Sequence, residues 1–108
     1  MDNNVIELNE SNFEQEVLGA RSPVLVQFWA VWSEPCKAMT PALESVAGDE
    51  TTSIKVARVN VEQNESLAGQ YGVRAVPTLL IFNQGSLQDQ VVGRASEFEV
   101  REKLERFK

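Results

Sequence analysis

Histidine is absent from these 108 residues, and cysteine occurs once, at Cys36. Without imidazole no side chain titrates near neutrality at its unperturbed pKa, and Ser–His and Cys–His nucleophile pairs are excluded. One cysteine and no histidine do not assemble a zinc site of ordinary composition within one chain, so no metal is expected. An intramolecular disulfide is impossible, and whatever Cys36 does it does alone or with another molecule. Positive charge is also short. Ten Lys and Arg face sixteen Asp and Glu, a formal net charge of −6 at pH 7. A surface of that sign repels phosphates, which argues against nucleic acid as a partner. No apolar run approaches the roughly 18 residues that cross a bilayer, so no membrane partner is expected. The opening MDNNVIELNE has no basic region followed by an apolar one. No signal peptide is therefore expected, and the cytosol is the expected compartment.

What is present reads as one domain over residues 1–108, with no internal repeat, low-complexity tract or linker. The 43% hydrophobic content and this length suit one buried core. Val5 to Leu8 is a short strand. Ser11 with Glu14 has the spacing of a capping box and predicts a helix to about Leu18, broken by Gly19, Ser22 and Pro23. Val24 to Trp29 is a nearly continuous apolar run interrupted by Gln27, the pattern of a central strand covered on both faces. Trp29 itself is expected in the core. A helix follows from about Glu34 to Ala47, kinked where Pro41 removes a backbone donor. Pro41 is read as a packing feature.

Ile54 to Val61 is the next strand, and Asn64 to Tyr71 a short helix ended by Gly72 in the left-handed region. Pro77 to Phe82 is another apolar strand. The NQG at 83–85 turns it back into a hairpin strand over Gln88 to Val92. Ser96 with Glu99 is a second capping box, and Val100, Leu104 and Phe107 give the last helix an apolar stripe. The order βαβαβαββα places the chain in the α/β class, with a parallel core and an antiparallel edge.

The segment FWAVWSEPCK, residues 28–37, carries the chemistry. Ser33 stands where a helix N-cap stands, its oxygen placed to accept from the Cys36 backbone N–H. Serine there is worth about 1 kcal/mol over alanine. Glu34 falls in the first turn, where a carboxylate favours the positive end of the helix dipole, and Pro35 loses no intrahelical bond there. The helix N-terminus favours a Cys36 thiolate, and the Glu34 charge opposes it.

Together with YGVRAVPTLLIFNQG and VVGRAS, this segment closely resembles the thioredoxin family, in spacing as well as residues and over essentially the whole chain. The resemblance implies a thioredoxin fold, a five-stranded mixed sheet flanked by four helices. It implies a site made of Trp32 before the redox pair, Ser33 in place of the attacking cysteine, and Cys36 as the resolving one. Val76 and Pro77 match the loop whose proline is cis, and Gly93 matches the groove glycine. Gln27 replaces a buried aspartate that assists proton transfer, Arg58 replaces a lysine near it, and Glu34 replaces a small glycine. In the family the sulfur matching Cys36 lies below the surface, which predicts a half-buried, poorly reactive thiol. Arg58, always charged, is expected to snorkel or to find another carboxylate.

Disulfide exchange starts from a thiolate, and a serine hydroxyl supplies none. The function expected is therefore that of a thiol–disulfide oxidoreductase relative lacking the attacking cysteine. It binds extended peptide segments in the groove formed with Trp32, Glu34, Pro35, Val76, Pro77 and Gly93, without a full dithiol cycle. Two alternatives stay open. One is monothiol exchange through Cys36, with glutathione or a protein disulfide. The other is an orthodox protein-disulfide reductase, served by a thioredoxin reductase, seen as a Cys-to-Ser variant at position 33. The Gln27 and Glu34 departures argue against a single engineered change. No cofactor is expected, and the chain is expected to be a monomer.

Overall fold

The computed structural model describes residues 4–107. The first three residues of the opening segment, read above for a leader, thus lie outside the described residues. Strands β1 (Val5–Leu8), β2 (Val24–Trp29), β3 (Lys55–Asn60), β4 (Thr78–Asn83) and β5 (Ser86–Val92) form one sheet in the order β1-β3-β2-β4-β5. β1, β3 and β2 run parallel, while β4 and β5 are antiparallel. The mixed sheet predicted from the alternating elements is therefore present. β2 lies at its centre, and five of its six residues are buried, as the near-continuous apolar run requires.

Helices α1 (Glu34–Ala38), α2 (Thr40–Ala47) and α4 (Glu97–Leu104) cover one face, closing over Leu25, Val56, Leu79 and Ile81 with Met39, Leu43, Val46, Val100 and Leu104. Helix α3 (Glu65–Gln70) and a π-helical turn at Glu14–Leu18 cover the other. There Phe13, Tyr71 and Phe82 meet with ring centroids 5.4–5.9 Å apart. Phe107 packs from a short 3-10 turn at Glu105–Phe107.

Three local expectations need correction. Ser11 does not cap a helix. The Asn9 side chain accepts from the backbone N–H groups of Ser11 and Asn12 and from the Ser11 hydroxyl. The helical turn starts later, at Glu14, with no side-chain cap. The helix over 34–47 is two helices, separated at Met39, with Pro41 in the first turn of the second. The kink becomes a break because proline supplies no N–H to continue the ladder from α1. Trp29 is half-buried rather than core, for reasons that belong to the site.

The other signals hold. Gln84 and Gly85 both take positive φ, +53° and +83°, in the hairpin turn. Gly72 ends α3 at φ +68°. Both halves of the Ser96–Glu99 capping box form.

α2 and α4 are clasped by Arg101. It donates to Asp49 at 2.8 Å, to Glu97 at 2.9 Å and to the Ser45 hydroxyl oxygen at 3.2 Å, and Ser45 donates to Glu97 at 2.8 Å. Hydrogen bonds from Thr51 and then from Arg101 hold Asp49 down from its ordinary 3.8 to about 2. Bonds from Arg101 and Ser45 hold Glu97 down as well. A depressed carboxylate pKa contributes stability that is complete above the unfolded-state value and is lost as pH falls toward the folded-state value. Between about pH 4 and 2, Arg101→Met should therefore lose less stability than the parent, although it starts lower at pH 7. Urea unfolding midpoints at stepped pH check this, and parallel acid limbs would contradict it.

Candidate functional site

The site lies at the C-terminal end of β2. Ser33 N–H donates to the Ala30 carbonyl at 3.1 Å, folding the chain from the strand into α1. Ser33 is extended (φ −93°, ψ 110°), and its Oγ accepts from the Cys36 N–H at 3.3 Å. This is the N-cap read from the sequence. Pro35 sits in the first turn and Glu34 points outward, 3.5 Å from Lys37, at a largely exposed surface.

Ser33 and Cys36 are each only 3% exposed. Cys36 is thus buried, more deeply than the half-buried expectation. Behind it lies Gln27, 1% exposed, whose Nε2 donates to the Cys36 carbonyl oxygen at 3.5 Å. Gln27 is a neutral tether between the sheet and α1, and its amide neither takes nor gives a proton at neutral pH.

Arg58 does not join Gln27, although the two are cross-strand neighbours in the β2–β3 register. Its guanidinium stacks over Trp29 at 3.9 Å from the ring centroid, and its Nε lies 3.4 Å from Glu7 Oε1. That nitrogen is buried without a hydrogen-bond partner among the described residues. Trp29 Nε1 donates to Glu7 Oε2 at 3.2 Å. Trp29 is therefore a half-buried platform for an arginine that has found another carboxylate, as expected.

Trp32, by contrast, is 64% exposed, and its Nε1 donates to Glu62 Oε2 at 3.2 Å. A small cleft of about 150 Å³ runs beside it, lined by Val61, Val73, Arg74, Ala75 and Val76. The Val76–Pro77 bond is cis, Pro77 is buried, and the Thr78 hydroxyl donates to the Ala75 carbonyl at 2.6 Å. Gly93 N–H donates to the Pro77 carbonyl at 2.8 Å. Its φ of +95° is what demands glycine, since a Cβ there would meet no atom within 4 Å.

The structure therefore brings Ser33, Cys36 and Gln27 together by hydrogen bonds, and Trp32 and Val76 around one cleft. It leaves Arg58 to one side, and Glu34 and Pro35 on the exposed first turn. Sequence reasoning missed Glu62 and Glu7. The only signal for either was register: Trp29 pairs with Asn60 and Glu7 with Arg58, which sets both carboxylates beside the tryptophans. Among the described residues no group of three acidic, cysteine or histidine side chains could hold a metal ion.

A mixed sheet of this order, with a cysteine in the first turn after the central strand and a cis-proline leading into β4, defines the thioredoxin fold. The comparisons agree. A sequence model of the thioredoxin family matches residues 4–106. Thioredoxin of Buchnera aphidicola is 40% identical over 103 residues, 95% of either chain. Thioredoxin 1 of Nostoc sp. is 41% identical over 100 residues, 93% of this chain and 94% of that one. Thioredoxin 1 of Synechococcus elongatus is 44% identical over 86 residues, 80% of either. The chain belongs to the thioredoxin family, typically disulfide oxidoreductases acting on protein substrates, and it carries one cysteine.

Proposed function

We propose that this chain binds extended peptide segments in the groove between Trp32 and the Val76–Pro77–Gly93 seam, without running a dithiol cycle. One observation carries the reading: the residue in place of the attacking sulfur is Ser33, buried and engaged as the cap of α1. The recognition elements are meanwhile intact, with an exposed indole and a cis-proline loop. An extended peptide pairs with backbone beside such a loop and places side chains against the indole. Groups that only bind need no activated sulfur. The cytosol is the compartment we propose, supported by a lone cysteine that makes no structural disulfide. Among the described residues no helix is long and apolar enough to cross a membrane.

The test is fluorescence anisotropy with fluorescein-labelled, carboxamidomethylated insulin B chain. Cys36→Ala should leave Kd within about twofold, because the thiol is buried. Trp32→Ala should weaken binding about tenfold or more, the scale of an aromatic anchor. Loss of binding in Cys36→Ala, or indifference to Trp32→Ala, would overturn the reading.

A further inference from the structure

β5 is the outer strand at one end of the sheet, and among the described residues no strand pairs with its far edge. The backbone groups on that edge follow from the register. Gly93 N–H donates to the Pro77 carbonyl, and the pairs Val91–Leu79 and Asp89–Ile81 continue that ladder by twos. In an antiparallel pair the residues in between turn their N–H and C=O groups the other way. Gln90 and Val92 therefore direct theirs outward. Gln88 is an extra residue, since Ile81 pairs with Asp89 and Phe82 with Leu87, and β5 bulges there.

Two groups on this edge are already occupied. The Asp89 carboxylate accepts from the Gln90 N–H at 2.8 Å, and Arg106 Nη2 donates to the Gln88 carbonyl at 3.2 Å. Both blocking side chains are themselves held. Lys103 Nζ lies 3.3 Å from Asp89, and the Arg106 guanidinium lies 4.8 Å from the centroid of the Phe107 ring. The Gln90 N–H first, then Lys103 and Arg106, hold Asp89 below the ordinary carboxylate value, so this block is charged at neutral pH. The end of the chain thus reaches across from α4 and the 3-10 turn to cover the strand.

We propose that the outer edge of β5 is a strand-addition surface for a second copy of this chain, kept closed by Asp89 and Arg106. An open edge is a template for pairing, and charged side chains are a common protection of it. The strand fits its own copy. Laid antiparallel about a two-fold axis at Gln90, two copies set Gln90 opposite Gln90 and Gln88 opposite Val92. The Gln90 N–H of each copy then meets the Gln90 carbonyl of the other, and each Val92 N–H meets a Gln88 carbonyl. Every one of these four bonds needs a group that Asp89 or Arg106 now occupies. Asp89, the one charged residue of β5, falls opposite Val91, so no like charges meet across the axis. None of these residues belongs to the peptide groove proposed above.

Sedimentation velocity from low to high micromolar concentration compares the unaltered protein with Asp89→Ala, Arg106→Ala and the double variant, with urea midpoints confirming the fold. The unaltered protein should stay monomeric. Each guard blocks two bonds of the dimer, so losing one should tighten self-association about 25-fold, at about fivefold per hydrogen bond. The double variant should dimerise at tens of micromolar, and its backbone amide shifts should move with concentration at residues 88–92. Adding Gln90→Pro, which removes the outward N–H and spares the bonds to β4, should return it to monomer. An unaltered protein that already dimerises through residues 88–92 overturns the guard. A folded double variant that stays monomeric, or a dimer whose shifts lie elsewhere, overturns the edge. Should the double variant lose its fold, Arg106→Ala alone decides by the same two readings.

Discussion

Ser33→Cys should give this chain disulfide reductase turnover well above that of the parent, in which serine holds the place of the attacking sulfur. The cap geometry already holds the side chain of residue 33 toward the Cys36 N–H at 3.3 Å, three residues apart on one helical turn. A thiol there, reached when the N-terminal turn of α1 opens, attacks a substrate disulfide, and Cys36 one helical turn away resolves the mixed disulfide. The substrate gains two electrons and two protons while the introduced sulfur and the Cys36 sulfur close into a disulfide, and dithiothreitol regenerates the two thiols. The predicted cost is a weakened cap of about 1 kcal/mol.

Gln27 sets the ceiling on that rate, because a resolving thiol must lose a proton and the buried amide behind it takes none. Gln27→Asp in the Ser33→Cys background should then add about tenfold, the low end of what a positioned acid–base group supplies. Gln27→Asp alone should leave turnover at background. Insulin reduction followed by turbidity reads all four proteins, and thiol counting after oxidation reads the disulfide. Two free thiols remaining in oxidised Ser33→Cys would show that the helix start has diverged too far. A turnover gain from Gln27→Asp alone would show that Cys36 works without a partner sulfur.

Legibility of this fold from the sequence was uneven for physical reasons. Elements governed by one local decision were readable. The run Val24 to Trp29 had to be a central strand, the NQG at 83–85 had to turn the chain, and Ser96 with Glu99 had to close a box. Ser33 belongs with these, since an N-cap needs only its own turn. Where two local decisions compete, the sequence offered both. The Ser11 hydroxyl could cap a helix at the Glu14 N–H or donate to Asn9, and the shorter Asn9 loop prevailed. The first helical turn then formed in π geometry, Gly19 N–H reaching the Glu14 carbonyl at 2.9 Å, with Phe13 and Val17 both buried.

The site's remaining features depend on register between distant strands. Arg58 has Gln27 on one side and Glu7 on the other, and only the third dimension decides which it answers. The Trp32–Glu62 bond spans thirty residues of sequence and follows from the same parallel pairing. The depth of Ser33 and Cys36 is likewise a property of the assembled layers.

That depth makes the second large prediction. Cys36 is 3% exposed, enclosed between the sheet and α1, with Ser33 equally covered. A reagent reaches its sulfur only when the N-terminal turn of α1 opens. Opening must break the Ser33 cap and the Gln27 tether to the Cys36 carbonyl while loosening Met39, three residues on, from the core cluster it packs in. An opening free energy of about 3 kcal/mol, modest beside whole-domain stability, already slows the reaction by more than about a hundredfold. Iodoacetamide modification at pH 8, followed by intact mass, should therefore run at least about a hundredfold slower in the folded protein than in guanidinium. Ser33→Ala removes the cap and should recover about fivefold of that rate, the equivalent of ~1 kcal/mol. The same barrier stands before glutathione disulfide, so a glutathione adduct should form no faster than unfolding allows. If folded and unfolded protein react at similar rates, the sulfur is open to exchange, and monothiol chemistry at Cys36 displaces the binding-only reading.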